Sequence, residues 1–446
     1  MNDWHDAEQR VEKARHLFEQ RKWHEALAEL QAATNINPYN AGWFFNIGLT
    51  LDELGRFDEA VAAYRQVLSI DPDDLQAMNH LGVDLCRLAQ HTDAIRTFER
   101  IESIDPAFEA SYCNRIITYT EIGDHDRAEE MFYLARLYKE QCPHCYYNIG
   151  CSLAARGLHD KAIYCWQKTL DLDDTHPEVH IRIAESLWAK GQLEQSRRHY
   201  LIGLRHNPGN TQTLLDLGDL LVEMGHLEEA GEKFRRAIEL APENPSGYYC
   251  HGKWLLQIRR DEEAIKNFHK ALQLDPSFPG LHLHLARLYQ HRNDITRMRK
   301  HLRSELLLRP ADSEVLAGLA ELLGESGDHR AAVACLKRLV EVEPANAVVW
   351  QNLSVAQFAR GDYVAGVRSC QQALQCDPHS TTATYNLALA YEHLRDYEQG
   401  LKWCRQGLQY QPGDLSLQRL ELRLRFLRLR SQIKQAFLSL FQFPWR

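Results

Sequence analysis

AGWFFNIGLTLDELGRFDEAVAAYRQVLSIDPDD, residues 41–74, holds the pattern that decides the fold. Phe44, Ile47, Gly48 and Leu51 follow the i, i+3, i+4, i+7 spacing of one helix stripe. Gly55 ends that run, because glycine enters the left-handed conformation at little cost. A second helical run over 57–70 is stopped by Pro72, which cannot continue a helix. The same punctuation recurs in TQTLLDLGDLLVEMGHLEEAGEKFRRAIELAPEN, residues 211–244.

Working outward, Pro38, Pro72 and Pro106 are 34 residues apart, and Pro208, Pro242, Pro276, Pro310, Pro344, Pro378 and Pro412 keep the register. Glu140 and Asp174 take the two remaining slots. Residues 7–414 therefore divide into twelve consecutive 34-residue repeats, after a lead-in at 1–6 and before a separate segment at 415–446. Counting from Ala7, position 8 is small except at Ile116, and position 20 is small except at Met298. Position 24 is often aromatic, as at Tyr64, Phe98, Trp166 and Phe234. Small residues let two helices approach closely, and the ring fills the space beside them. One such hairpin cannot bury its own apolar face, so the repeats must stack into an all-α solenoid.

This pattern resembles the tetratricopeptide repeat family over about nine-tenths of the chain. The resemblance implies a right-handed superhelix of helix-turn-helix repeats whose first helices line a concave groove. It also implies a scaffold that binds protein or peptide, rather than an enzyme.

Composition agrees with a soluble chain: 44% apolar, 25% charged, net charge −9. Net negative charge argues against nucleic acid as a partner. No apolar run is long enough to span a bilayer, and MNDWHDAEQR is not a secretory signal, so the expected compartment is cytoplasmic. Eleven scattered cysteines suit reduced thiols better than a disulfide framework. No phosphate loop, nucleophile elbow, HExxH or EF-hand pattern occurs, so no catalytic residue and no cofactor is assigned.

Opposite the packing stripe lie positions 2, 5, 6, 9, 12 and 13 of each first helix. In the family these positions face the groove. They hold fifteen acids against five bases, Arg15, Arg87, Arg182, Lys253 and Arg287. A concave acidic wall favours a basic or neutral partner segment; the opposing reading is a solvated face without preference. Position 6 carries Asn46, Asn114, Asn148, Asn352 and Asn386, interrupted by His80, Arg182, Asp216 and His284. An amide offers both donor and acceptor to an extended peptide backbone, and stacking should set Asn114 beside Asn148. This is similar to the asparagine ladder of the peptide-binding superhelix in O-linked N-acetylglucosamine transferases, without room here for their catalytic domain. Asn79, Tyr147, Trp188, Tyr249 and Tyr385 complete the expected partner-binding residues, with Phe18 and Phe358 as further aromatic candidates and Phe45 read rather as packing against the next repeat. The family's carboxylate clamp is not matched: Cys113, Ile117 and Glu178 stand where it needs Lys, Asn and Lys.

Two places break the pattern. Cys142, Pro143, His144 and Cys145 form a CPHC run at the joint of repeats four and five. A pair of thiols two residues apart can be half of a zinc site or a redox pair, and Cys142, His144 and Cys145 are the candidate ligands. No second C-x-x-C follows, so the favoured reading is an irregular joint with reduced thiols and no metal. In repeat nine, Met298 and Glu305 replace small residues beside His284, Arg287 and His291, which reads as a packing defect or flexible joint.

Residues 415–446 hold seven Lys/Arg against Glu421, a charge of +6 that leaves −15 for the rest. Leu417, Leu420, Leu424 and Leu427 read as the inward stripe of a capping helix. The remaining aromatic and aliphatic residues favour docking on the repeats or on a second copy, which would make a homo-oligomer. The alternative is attachment to a membrane surface.

Overall fold

Helix hairpins account for nearly all of the computed structural model, which describes residues 2–440, with side chains from Trp4 to Ala436. Among the described residues there are 25 α-helices and no strand. The chain divides into two compact units, residues 1–236 and 237–446. The first holds α1 (Asn2–Glu19), α2 (Trp23–Ile36), α3 (Ala41–Glu53), α4 (Phe57–Ile70), α5 (Leu75–Arg87), α6 (His91–Ile104), α7 (Glu109–Glu121), α8 (His125–Tyr138), α9 (Pro143–Ala155), α10 (His159–Leu172), α11 (Val179–Ala189), α12 (Leu193–His206) and α13 (Thr211–Glu223). The division falls within α14 (Leu227–Leu240). The second holds α15 (Pro245–Gln257), α16 (Asp261–Leu274), α17 (Leu281–His291), α18 (Ile295–Leu307), α19 (Ser313–Glu325), α20 (His329–Val342), α21 (Ala347–Ala359), α22 (Tyr363–Cys376), α23 (Thr381–His393), α24 (Tyr397–Tyr410) and α25 (Leu415–Leu440). Within each unit, helices pair as antiparallel hairpins and each hairpin packs on the next, the arrangement of an α-solenoid.

The repeat chemistry explains the packing. A Cβ on Gly48, Gly82, Gly150, Gly218 or Gly252 would collide with the ring sixteen residues later, Tyr64, Phe98, Trp166, Phe234 or Phe268. Each ring lies directly on the glycine's helix. At Ile116 that space is closed, and Phe132 instead meets Tyr146 of the following repeat edge-on, 5.2 Å between centroids. Repeat eleven reverses the roles: Gly366 on α22 receives Phe358 from α21. Phe358 therefore packs inside its own hairpin and is withdrawn as a groove aromatic.

The turn inside every hairpin is left-handed at position 15. Glycine supplies it at Gly55, Gly123, Gly157, Gly191, Gly225, Gly327 and Gly361; Arg21, Ala89, Arg259, Asn293 and Arg395 adopt it elsewhere, with φ from 55° to 85° overall. At Gly55 the turn closes with Arg56 N–H donating to Leu51 C=O at 2.9 Å.

In repeat nine the acid at the small-residue position has backbone partners on the paired helix. Gly280 stands at the N-cap of α17 without a capping side chain. Glu305, fully buried, accepts from the backbone N–H of Gly280 (2.9 Å) and Leu283 (3.3 Å). A carboxylate from α18 thus replaces the local cap and meets the positive end of α17.

In α25, Leu417, Leu420 and Leu424 are buried against Ala388, Leu401 and Cys404 of α23 and α24, with Leu427 half-buried. Arg428 pairs with Glu398 at 2.6 Å, and Arg423 pairs with Glu392. Leu422, Phe426, Leu429 and Ile433 remain exposed. The sequence expectations for Phe437, Leu438, Leu440, Phe441, Phe443 and Trp445 fall outside the described side chains.

Candidate partner-binding cleft

Five successive first helices, α1, α3, α5, α7 and α9, line a cavity of about 770 Å³ in the first unit. Its walls come mainly from the positions opposite the packing stripe: Asp52 and Glu53 from α3, Asn79, His80 and Arg87 from α5, Asn114 and Ile117 from α7, and His144, Tyr147 and Asn148 from α9. Phe18 reaches it from α1, held edge-on to Trp23 at 4.6 Å.

The amides form a ladder with a register different from the simple one. Asn114 Nδ2 donates to Asn79 Oδ1 (2.8 Å), and Asn148 Nδ2 donates to the backbone oxygen of Cys113 (3.3 Å). Both steps span 35 residues, one repeat plus one position, so each position-6 amide reaches the position-5 residue of the preceding helix. Asn114 and Asn148 share the cavity wall, but each donates backward along the stack. The same step joins Arg182 Nε to Tyr147 Oη (3.3 Å), Trp188 Nε1 to Glu223 (2.6 Å) and, in the second unit, Tyr249 Oη to His284 Nε2 (3.2 Å).

Beyond the cavity, Tyr147 Oη donates to Glu178 at 2.6 Å, and its ring stacks on His176 at 4.5 Å. Arg182 also holds Glu185 at 3.0 Å. Burial raises Tyr147 well above the usual phenol range, so it stays a donor. Burial likewise raises Asp216, whose carboxylate accepts from Gln212 at 2.8 Å. His80 stacks on Tyr64, and burial lowers its pKa. Asn46 is exposed.

In the second unit, Lys253 lies over the Tyr249 ring at 5.4 Å. His284 stacks on Phe268, and burial first, then Arg287 and Lys253, push it down to about 4. His284 is therefore a neutral packing residue. A second cavity, about 630 Å³, takes Arg287, Glu314, Glu321, Glu325, Gly318 and Asn352 into its wall. Tyr385 and Asn386 are half-buried on α23. None of the sixteen expected groove residues is fully buried.

Around the first cavity the acids Asp52, Glu53 and Glu109 face the bases Arg87 and Lys139. Asp52 lies 3.9 Å from Arg87 and Glu109 2.6 Å from Lys139, so the acid excess at this wall is smaller than a count along the chain suggests. The second cavity keeps three acids to one arginine.

The CPHC joint was only half visible in the sequence. Cys142 caps α9, its Sγ accepting from Cys145 N–H at 3.1 Å. Cys113 joins from α7, its Sγ lying 2.8 Å from Cys145 Sγ and 3.7 Å from Cys142 Sγ. Glu109 completes the group: one donor atom from each of the four lies within 4.8 Å of the others. His144 is exposed and turns toward the cleft, its ring 6.1 Å from that of His176. Spacing places Cys113 at a groove position of the preceding first helix, but its meeting with Glu109, Cys142 and Cys145 depends on how the repeats stack.

No helix of the described residues is long and apolar enough to cross a membrane. Two family models described as tetratricopeptide repeat match residues 11–74, 45–107, 181–245 and 318–381, and residues 357–424, together more than half of the chain. Among curated proteins no sequence relative is found. Similar solved structures include yeast Tom70, 16% identical over 96% of both chains with a TM-score of 0.41. A tetratricopeptide repeat protein from Parabacteroides merdae is 14% identical over 56% of this chain and 99% of its own, TM-score 0.48. Pseudomonas aeruginosa pilF is 15% identical over 46% of this chain and 93% of its own, TM-score 0.41. With the matched segments and the stacked hairpins in agreement, the chain belongs to the tetratricopeptide repeat family and is built as a protein-interaction scaffold.

Proposed function

We propose that the first-unit cleft receives an extended, basic or neutral segment of a partner protein. The observation that carries this reading is the run of Asn79, Asn114 and Asn148 along a cavity lined by five successive first helices. An asparagine amide has two donors and an acceptor oxygen. One donor of Asn114 and one of Asn148 are used within the ladder, which leaves polar capacity at a spacing set by the helix stack. Phe18, Tyr147 and the Arg87 stem add apolar surface for partner side chains.

A peptide-display library screened against the full chain tests this. Enriched sequences should be uncharged or rich in Lys and Arg, and the Asn114→Ala/Asn148→Ala pair should weaken them by at least about tenfold with unchanged helicity. Equal binding by wild type and variant overturns the cleft assignment, whereas enrichment of acidic sequences overturns the charge preference alone.

A second reading rests on α25. Its exposed Leu422, Phe426, Leu429 and Ile433 stand among Arg425, Arg430 and Lys434, the composition of a helix that lies on anionic lipid. Co-sedimentation with phosphatidylserine vesicles should fall when residues 431–446 are deleted. Unchanged sedimentation removes the membrane reading and leaves docking or self-association, visible as sedimentation mass.

A further inference from the structure

We propose that Glu109, Cys113, Cys142 and Cys145 form a structural zinc site that ties α7 to the start of α9. The inference is independent of the cleft's partner.

The donors converge from two helices. Glu109 and Cys113 stand one turn apart on α7, so their side chains share a face. Cys142 and Cys145 bracket the first turn of α9, with Pro143 between them as the first helical residue. A tetrahedral zinc with bonds of about 2.3 Å to sulfur holds its sulfurs about 3.8 Å apart. Cys113 and Cys142 stand at 3.7 Å. Cys113 and Cys145, at 2.8 Å, must open by about 1 Å to admit the ion. That 2.8 Å is well beyond the ~2.05 Å of a disulfide, and all eleven cysteines are free.

The surroundings favour a closed site. Cys113, Cys142 and Cys145 are 7%, 1% and 0% exposed, in a core with Tyr112, Ile116 and Ile149. Three buried thiols facing one another make only weak hydrogen bonds among themselves. A divalent ion supplies a stronger partner, and thiolate donors select zinc over magnesium or calcium. Three thiolates and a carboxylate around zinc sum to −2. Lys139 Nζ, 2.6 Å from Glu109 Oε2, offsets one of these charges and leaves the carboxylate's other oxygen for the metal.

The cap on α9 points the same way. At the same position of other repeats the capping atom is an oxygen, as at Asn40, Asp74 and Asn210. A neutral thiol is a poor acceptor, whereas a thiolate accepts a backbone N–H well at a helix N-terminus. Metal binding would displace the thiol protons to solvent and make Cys142 a stronger acceptor for that N–H. The joint also departs from its register here, with Glu140 in the slot that proline fills in ten repeats.

The site would stiffen a wall of the cleft. Cys113 presents its backbone oxygen to Asn148, while Glu109, Cys113 and Lys139 all border the cavity. Zinc would therefore fix the spacing between the α7 and α9 rungs of the amide ladder.

Elemental analysis of the untagged full chain, purified with reductant and without chelator, should find about one zinc per chain. The metal-stripped chain titrated with cobalt(II) should develop thiolate-to-cobalt charge-transfer absorption and the strong visible bands of tetrahedral cobalt. Cys113→Ser and Cys145→Ser should lower cobalt affinity by at least about tenfold. Cys151→Ser, outside the group, should leave it unchanged. A reduced wild-type chain that contains no zinc and gives no tetrahedral cobalt spectrum overturns the site, as does a Cys113–Cys145 disulfide in chain purified with reductant. The wild-type titration decides the matter even where a serine variant fails to fold. No partner is used in either measurement, so failure of the zinc site and failure of the cleft reading are separately visible.

Discussion

At the residue scale the repeat tolerates strain where its turn geometry demands a left-handed residue. Ala89 holds φ at 55° in a position that seven repeats give to glycine. A non-glycine residue in that conformation costs about 1–2 kcal/mol, while glycine's greater freedom in the unfolded chain costs roughly 0.5–1 kcal/mol. Ala89→Gly should therefore stabilise the chain by about 0.5–1 kcal/mol, read as a higher urea midpoint at unchanged slope; a lower midpoint would show that no strain is relieved. Asp84 carries a different tension. It is 1% exposed, with Arg87 Nη1 at 3.0 Å, and burial first, then the neighbouring Asp52 carboxylate, push it up to about 7. Its folded value lies above the unfolded one, so the native state keeps the proton longer. The associated stability is complete below about pH 4 and is lost as pH rises through 7. Between pH 5 and pH 8 the wild type should lose melting temperature, and Asp84→Asn should lose less. An equal fall in both proteins would assign the pH dependence to other groups.

At the element scale, what could be read from the sequence was what lies within one period. Gly48 with Tyr64, or Gly82 with Phe98, are residues of the same hairpin, so spacing alone places them together. The inward stripe of α25 was legible for the same reason: Leu417, Leu420 and Leu424 follow helix spacing inside one element. Glu305 was misread because its role depends on another helix. In sequence it is an acid at a position where Ala237 and Ala271 sit in two preceding repeats; in the fold it is the cap that Gly280 lacks. Glu305→Ala should leave the Gly280 and Leu283 N–H groups buried without an acceptor and cost about 2–3 kcal/mol. Glu305→Gln, which keeps an acceptor oxygen, should cost less. Chemical denaturation monitored by circular dichroism measures both, and equal costs for the two variants would deny the capping role.

At the scale of the whole molecule, the repeat makes a chain of neighbours rather than one cooperative core. The candidate site inherits this. The positions of the cleft residues were legible because first helices recur every 34 residues. The hydrogen-bond register was not, since each contact is shifted by one residue from the repeat, from Asn114 to Asn79 and from Asn148 to Cys113. The thiol group was hidden further still, because Cys113 meets Cys142 and Cys145 across a joint. Nearest-neighbour architecture also predicts how far damage travels. Within the first unit α5 and α6 pack on each other, on α4 and on α7, whereas α11, α12 and α13 lie several hairpins along the stack. Gly82→Ala forces the Phe98 ring off its helix, a steric change of about 1–3 kcal/mol. Stability in a solenoid is a sum of repeat and interface contributions, so that loss should stay near its source. Hydrogen exchange of the variant should quicken in α4, α5, α6 and α7 and stay at the wild-type rate in α11, α12 and α13. Faster exchange throughout the unit would mean that its hairpins open together, and the nearest-neighbour description would then fail for this protein.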